Sequence, residues 1–482
     1  MVDRYRLLCI LVLFAITIIL VVSVYNASGL GWDFLSRYLN GRTLASGYFY
    51  THLGVFSTPA GGSAPALVVS KGIYFDKVWD PLTSVVIIPF VILLGSWALG
   101  AYLIFLVVLL FVASWFTSKD LGVDPLVLTS LMVGPFVIMA DTFYNGSEIL
   151  ALSLALFTVA RAVQKRYSAG FWAGLMGLAR YDSLIIAPIA FLMGDRKKVV
   201  RTILLSVAVT VPWLAFNLLL FGNPIQSYLT DLAESQPQTG GVMVFLSLLK
   251  SVVWYPLIIL AVAVVVLAYL KRDKIKKLRA IELFKKTLEG QRARILLAVL
   301  ILSLMGFAFA YSHVQGALRL GYMVYLSVSL IASVVVSVMM ASLLKKKARR
   351  IAVIIPYLVF FASVVLLLNL YMAWSSSHFE MLGSLGFRYP AYLEAVQALQ
   401  AHGLANCSVL SNAWPYLDYY NVTTYAPYLC NATMERLPVV DFNDGTGVSD
   451  YCGGSIRNIT GVSERFNYSN FTILLPLNHS CG

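Results

Sequence analysis

The sequence predicts an all-α polytopic membrane protein of about 11 transmembrane helices with a small C-terminal extracytoplasmic α/β domain. Three observations carry that reading. Of 482 residues, 59% are hydrophobic and only 12% charged, against about 25% charged in soluble domains. The basic residues behind the net charge of +13 gather between apolar runs, at Arg161–Arg166, Asp195–Arg201, Lys345–Arg350 and Lys271–Arg294, the last holding ten Lys/Arg against three acids. This is the bias of cytoplasmic loops rather than a base-reading surface, and it excludes nucleic acid as a partner. By contrast, residues 375–482 hold no Lys, four Arg and eight Asp/Glu, which marks an outward-facing tail.

The first apolar run, residues 7–25, follows Arg4 and Arg6. At about 1.5 Å per residue it can cross a bilayer. It exceeds the apolar core of a signal peptide and many spans follow, so it reads as an anchor with a cytoplasmic N-terminus. Further runs lie at 97–117, 125–140, 144–163, 169–179, 182–193, 199–220, 250–270, 295–312, 320–343 and 351–373. The pair 169–179 and 182–193 is short, and basic loops flank it on both sides. It must therefore go out and come back, which puts Arg180-Tyr181-Asp182 near the outer face. With the N-terminus inside and the tail outside, the crossings must be odd in number. Pro81–Leu94 would spoil that parity, so it is expected to be re-entrant or interfacial, or to join 97–117 in one longer tilted span. No internal repeat of fixed period is visible.

The chain thus divides into a membrane domain, 1–374, with a long first extracytoplasmic loop, 26–80, and an extracytoplasmic domain, 375–482. In the loop, Phe34, Leu35, Tyr38 and Leu39 share one face of a helix over Phe34–Ala45, with Arg37 and Arg42 elsewhere, which suits a helix lying in the membrane interface. The tail combines a helical stretch, 389–402, with apolar runs at 407–410, 437–440 and 471–475, the pattern of a small α/β unit. Four of five cysteines (Cys407, Cys430, Cys452 and Cys481) fall there, enough for two disulfides in any of three connectivities on an oxidising face. Sequons at Asn406, Asn421, Asn431, Asn458, Asn467, Asn470 and Asn478 point to an exposed, glycosylated surface.

Candidate functional residues are the ionisable groups on the outer side, because such groups beside spans are costly and usually face a cavity. Asp33 follows the first span. It serves either as the N-cap of the helix behind it or as a base. Asp141 and Glu148 flank a turn, Ala140–Glu148, whose residues are ordinary turn formers. Arg180 and Asp182 can pair as a break between short helices, and Arg319 can snorkel to the headgroups. Asp76, Asp80 and His313 complete the outer set, and a lone histidine is by default a surface residue. There is no phosphate-cradling Gly-rich loop, no His-Glu-x-x-His and no Gly-x-Ser-x-Gly, so nucleotide, zinc and serine-hydrolase chemistries are not indicated.

Together these segments resemble the GT-C superfamily of membrane glycosyltransferases, which includes protein O-mannosyltransferases, aminoarabinose transferases and oligosaccharyltransferase catalytic subunits. The matching pieces are Gly31-Trp32-Asp33-Phe34-Leu35-Ser36-Arg37-Tyr38, Asp80-Pro81-Leu82, Phe143–Ala155 with its acid Glu148, Gly174–Asp182, and Phe221-Gly222-Asn223-Pro224. They span residues 1–330 in order. Asp33 is followed by Phe34, so the paired Asp-Glu of the mannosyltransferases is missing.

The resemblance implies a sugar donor on a polyprenyl or dolichyl phosphate, presented on the outer face, and a glycan, lipid or protein acceptor. Phosphate is a good leaving group and needs no protonation. One carboxylate, Asp33, suffices to deprotonate the acceptor hydroxyl for inverting in-line attack. Asp141 and Glu148 would form a secondary acidic site. Arg180 and Arg319 would hold the departing phosphate through planar, multiply donating groups, supported by Tyr181, Asp182, Asp80 and His313. Two arginines and one acid after the first span favour a route that requires no cofactor. Oligosaccharyltransferase-like members instead gather acids around Mg²⁺ or Mn²⁺, so the metal stays open. The alternative is a transporter or flippase of lipid-linked glycans, which is expected to place its charges at the bilayer midplane. A non-catalytic anchor for the outer domain leaves Arg180 and Asp182 unexplained.

Overall fold

The computed structural model describes residues 10–19, 37–38, 41–42, 45, 67–70, 73–76, 81–133, 147–225, 229, 242–270, 290–313, 321–343, 389–411, 417, 420, 422–425, 436–442, 450–451, 454–455, 462–477 and 479. Its helices are α1 (Ile10–Ile19), α2 (Pro81–Leu94), α3 (Ala98–Leu121), α4 (Pro125–Met132), α5 (Ser147–Val163), α6 (Ala169–Ala179), α7 (Arg196–Phe221), α8 (Val242–Leu270), α9 (Gly290–His313), α10 (Tyr322–Leu343) and α11 (Tyr389–Ala401). A 3-10 helix, Tyr181–Met193, follows α6. The molecule is mostly helical, with a small sheet in the tail.

Four helices among the described residues are long and apolar enough to cross a membrane: Ala98–Leu121, Arg196–Leu219, Gly290–Phe309 and Tyr322–Ala341. The expectation of about eleven spans is therefore not upheld. Ile10–Ile19, Pro81–Leu94, Ala169–Ala179, Tyr181–Met193 and, within α8, the stretch Val252–Val265 are apolar but shorter. The run at 125–140 is helical only over Pro125–Met132 among the described residues, and 351–373 lies outside them. The 3-10 winding partly offsets the shortness of its segment. Thirteen residues at about 2.0 Å each reach roughly 26 Å, whereas the eleven of α6 reach about 16 Å.

Pro81–Leu94 does not extend 97–117 into one tilted span. A 3-10 turn, Gly95–Trp97, folds α2 back on α3, so that Phe90 meets Tyr102 at 5.8 Å and Phe105 at 5.4 Å between ring centroids. The first-loop helix also differs from expectation. Arg37 and Tyr38 are buried, and a Cβ on Gly41 would lie 2.8 Å from the Ser84 carbonyl of α2. This stretch packs into the bundle instead of lying in the interface, and Arg37 goes inside with it. Phe34, Leu35 and Leu39 lie outside the described residues. An antiparallel pair, β1 (Leu67–Ser70) and β2 (Ile73–Asp76), belongs to the same loop.

Local chemistry sets the helix ends. Gly122, at φ +65°, closes α3 while Val123 N–H donates to the Ser118 carbonyl at 2.9 Å, the left-handed closure that glycine allows without steric cost. Asp124 then caps α4, its Oδ1 accepting from Leu126 N at 3.1 Å, with Pro125 at the first helical position. At one end of the bundle, Asp120 meets Arg161 at 3.5 Å, Arg292 Nη1 donates to the Leu121 carbonyl at 2.7 Å, and Asp124 N donates to Ser337 Oγ at 3.0 Å. This basic end gathers α3, α4, α5, α9 and α10.

α5 is the central helix, with nearly every residue buried. It has no polar face, as befits a helix enclosed on all sides. α6 lies so close to α7 that a Cβ on Gly170 would fall 1.9 Å from the Thr202 carbonyl, and one on Gly174 would fall 2.8 Å from that of Ser206. The two small residues, four apart, let the backbones touch, and they run in the same direction. α10 is 78% buried across its membrane-length window and α7 only 11%. The exposed Leu204, Val207, Val211 and Leu219 of α7 give it a lipid-facing composition.

The tail forms α11 and a five-stranded mixed sheet in the order β4-β3-β5-β9-β8, from β3 (Val409–Ser411), β4 (Thr424–Tyr425), β5 (Val439–Phe442), β8 (Val462–Asn467) and β9 (Phe471–Pro476). A second small pair is β6 (Asp450–Tyr451) and β7 (Gly454–Ser455). β3 runs parallel to β4 and β5, while β9 is antiparallel to β5 and β8. Buried β3, β5 and β9 match the apolar runs of the sequence, and Tyr392 of α11 packs on Phe442 at 4.8 Å. Cys407 is disulfide-bonded, which agrees with an oxidising compartment for this segment. The other cysteines lie outside the described residues.

Candidate functional site

At the end of the bundle away from the basic residues, three sequence-predicted residues come together. α5 begins with Ser147 and Glu148, so the carboxylate lies in the first turn, where the helix dipole favours it. α6 ends at Arg180, whose backbone is extended (φ −159°, ψ 123°), and the 3-10 helix starts immediately after it. Ser183 Oγ reaches the carbonyls of Met176 at 3.0 Å and Arg180 at 2.6 Å, adding to the backbone donors Arg180 N (2.9 Å) and Ser183 N (3.2 Å) that those carbonyls accept where α6 stops. The break between the two short helices therefore has a local cause. It aims Arg180 inward at the start of α5.

Arg180 is the hub. Its Nη1 donates to Glu148 Oε1 at 2.8 Å and to Ser147 Oγ at 3.3 Å. Its Nε donates to Asp182 Oδ1 at 3.1 Å, and Nη2 reaches Asp182 Oδ2 at 3.5 Å. Tyr322, at the start of α10, donates its hydroxyl to Asp182 Oδ1 at 2.9 Å and sets its ring 5.6 Å from the guanidinium carbon, within cation–π range. Beside this network Trp213 Nε1 of α7 donates to Tyr181 Oη at 2.9 Å.

The pairing is unequal in exposure. The Glu148 side chain is fully enclosed, that of Arg180 is 9% exposed, and that of Asp182 is 33% exposed. An ionised carboxylate at zero exposure persists only if paired and hydrogen-bonded, and Arg180 supplies both. One guanidinium against two carboxylates leaves the described cluster with a formal charge of −1. Glu148 lies 13 residues from Arg161 on α5, about 20 Å at 1.5 Å per residue.

Asp33, Asp80, Asp141 and Arg319 lie outside the described residues. His313 is the last residue of α9. Ser147, Tyr322 and Trp213 escaped the sequence reading, because a hydroxyl beside a turn and aromatics near span ends look like ordinary turn and interfacial residues. Among the described residues no three His, Cys, Asp or Glu side chains group to hold a metal ion. Glu148 and Asp182 as arranged do not suit a divalent cation, because the guanidinium stands between their oxygens. The chain matches no family model, no curated protein and no solved structure.

Proposed function

We propose that this chain is an integral membrane glycosyltransferase. It moves a hexosyl or pentosyl unit from a polyprenyl-phosphate donor to a glycan, lipid or protein acceptor at the extracytoplasmic face of the cell membrane. The observation that carries the reading is the enclosed Glu148–Arg180–Asp182–Tyr322 network, built from three separate segments at the end opposite the basic residues. Intramembrane charge is expensive and marks function more often than scaffolding. Its place at one end of the bundle, away from the basic residues, favours an enzyme of one face over a transporter, whose charges are expected at the midplane.

In the reaction Asp33 takes the proton of the acceptor hydroxyl. The acceptor oxygen attacks the anomeric carbon from the side opposite the phosphate. The anomeric carbon–oxygen bond breaks, polyprenyl phosphate leaves, and the configuration inverts. Arg319 grips the leaving phosphate. Arg180 directs its donors at Glu148, Ser147 and Asp182, which supports a positioning role beside the phosphate.

The test is incubation of the purified protein with a panel of labelled polyprenyl-phosphate sugars. Transfer to an acceptor, resistant to EDTA, is the expected result. Flip-flop of the lipid without bond cleavage would convert the reading to a transporter. Orientation is checked in intact cells with single cysteines at Lys277 and Ser455, of which only the second should react with an impermeant thiol reagent.

A further inference from the structure

We infer that Asp182 is the sugar-reading residue of the site: its outward carboxylate oxygen accepts a hydroxyl of the sugar ring. The inference rests on the glycosyltransferase reading and adds what the site recognises. Of the two carboxylates on Arg180, Glu148 is sealed and Asp182 is open. Asp182 Oδ1 is occupied twice, by Arg180 Nε at 3.1 Å and the Tyr322 hydroxyl at 2.9 Å. Among the described residues Oδ2 has only the 3.5 Å approach of Arg180 Nη2, too long and exposed to use its acceptor capacity. The carboxylate is thus locked in orientation by two donors while one oxygen remains for a ligand that donates hydrogen bonds. A negative, acceptor-only group repels phosphate and suits a hydroxyl.

A second observation points the same way. Aromatic side chains are held at the same break: Tyr322 donates to Asp182, and Tyr181, the residue before it, accepts from the half-buried Trp213. Trp213 is itself held by stacking on Phe216, 5.1 Å between centroids and 16° between planes. Sugar rings present apolar C–H faces edged by hydroxyls. A fixed carboxylate with aromatic side chains held in the same region matches both features, because the aromatic bodies cover C–H groups while the carboxylate takes the edge. A site built around a hydroxyl also rejects an analogue that lacks it, since the polar group is then left unmatched.

The sugar belongs either to the donor lipid or to a glycan acceptor, and two arms separate these. The full-length protein in nanodiscs is titrated with bare polyprenyl phosphate, with the same lipid carrying each of several hexoses and pentoses, and with the corresponding methyl glycosides. The wild type is expected to prefer one sugar over the bare lipid. Asp182→Ala should weaken binding of that sugar about 10- to 100-fold, the range for a hydrogen bond to a charged group, and leave bare polyprenyl phosphate within about twofold. Loss confined to the lipid arm assigns the donor sugar, and loss confined to the glycoside arm assigns the acceptor. Asp182→Asn preserves the shape, and thermal unfolding of both variants separates misfolding from lost recognition. Unchanged sugar affinity in a folded Asp182 variant, or equal loss for the bare lipid, overturns the inference. A wild type with no preference for any sugar removes the glycosyltransferase reading itself, and this inference with it.

Discussion

The two ends of the helix bundle hold charge in opposite ways. At the basic end Arg161 meets Asp120 at 3.5 Å with both side chains partly in solvent, 23% and 15% exposed. Arg166 lies in the turn between α5 and α6, and Lys197, Lys198 and Arg201 lie in the first two turns of α7. At the other end Arg180 meets Glu148 at 2.8 Å with the acid fully enclosed. The first arrangement is what headgroups and counter-ions tolerate almost without cost, and it orients the chain. The second is one that folding must hold against desolvation. The same residue types therefore carry different information. Exposed charge reports topology, and enclosed charge reports a site.

The largest effect expected at the acidic end is on the chemistry. Asp33→Asn keeps size and capping ability but cannot take a proton, so transfer should fall by about 10²- to 10⁴-fold, the usual contribution of a general base. Expression and membrane insertion should stay near wild type. Most activity surviving in Asp33→Asn would put the base elsewhere on this face.

Next comes the enclosed pair. Arg180→Gln leaves Glu148 buried without its cation, and losing one partner of a buried pair costs about 3–5 kcal/mol. Glu148→Gln added to it should return most of that stability, because two neutral amides can share the hydrogen bonds. Thermal unfolding in nanodiscs of the single and double variants reads this directly. A double variant no more stable than Arg180→Gln alone would mean that the two charges do not depend on each other.

Much of this contrast was legible beforehand. Basic loops on both sides of 169–179 and 182–193 put Arg180 and Asp182 at the far end from the basic residues, and the structure brings them together there with Glu148. The α/β pattern of the tail was equally plain, since β3, β5 and β9 follow its apolar runs. Partners were not legible. Glu148 and Arg180 are 32 residues apart, and whether the turn before Glu148 folded inward was a tertiary question. Tyr322 joins from 140 residues beyond Asp182. Arg37 shows the limit of periodicity: its helical position predicted a polar face, but close packing of Gly41 on α2 drew it inside. Hydropathy also overcounts spans, because an apolar run reads the same whether its helix is long enough to cross a bilayer or too short, as those over 169–179 and 181–193 are.

A smaller effect separates the two arginines. With Arg180 occupied by carboxylates, Arg319→Ala should weaken donor-lipid affinity by roughly 10- to 100-fold, a charge-assisted contact of about 1.5–3 kcal/mol. Arg180→Gln paired with Glu148→Gln should weaken it less. Binding of bare polyprenyl phosphate is the cleanest readout, since it leaves sugar recognition out. The reverse order of losses would return the phosphate to Arg180.

The smallest effect belongs to the basic end, and there the contrast predicts near silence. Arg161→Ala removes the partner of Asp120, but Gln164 still donates its amide to that carboxylate, and solvent reaches both side chains. Partly exposed pairs are worth about 0.2–1 kcal/mol once screening and side-chain entropy are counted. Stability should therefore drop by less than about 1 kcal/mol, again far below the 3–5 kcal/mol expected for the enclosed pair. Transfer should be unchanged, because Arg161 lies about 20 Å along α5 from Glu148. Raising the salt concentration should erase what remains of the Arg161 effect and leave that of Arg180 in place, since only exposed charges are screened. Loss of transfer in Arg161→Ala at full stability would show that the two ends communicate through α5, and the separation between an orienting end and a working end would have to be given up.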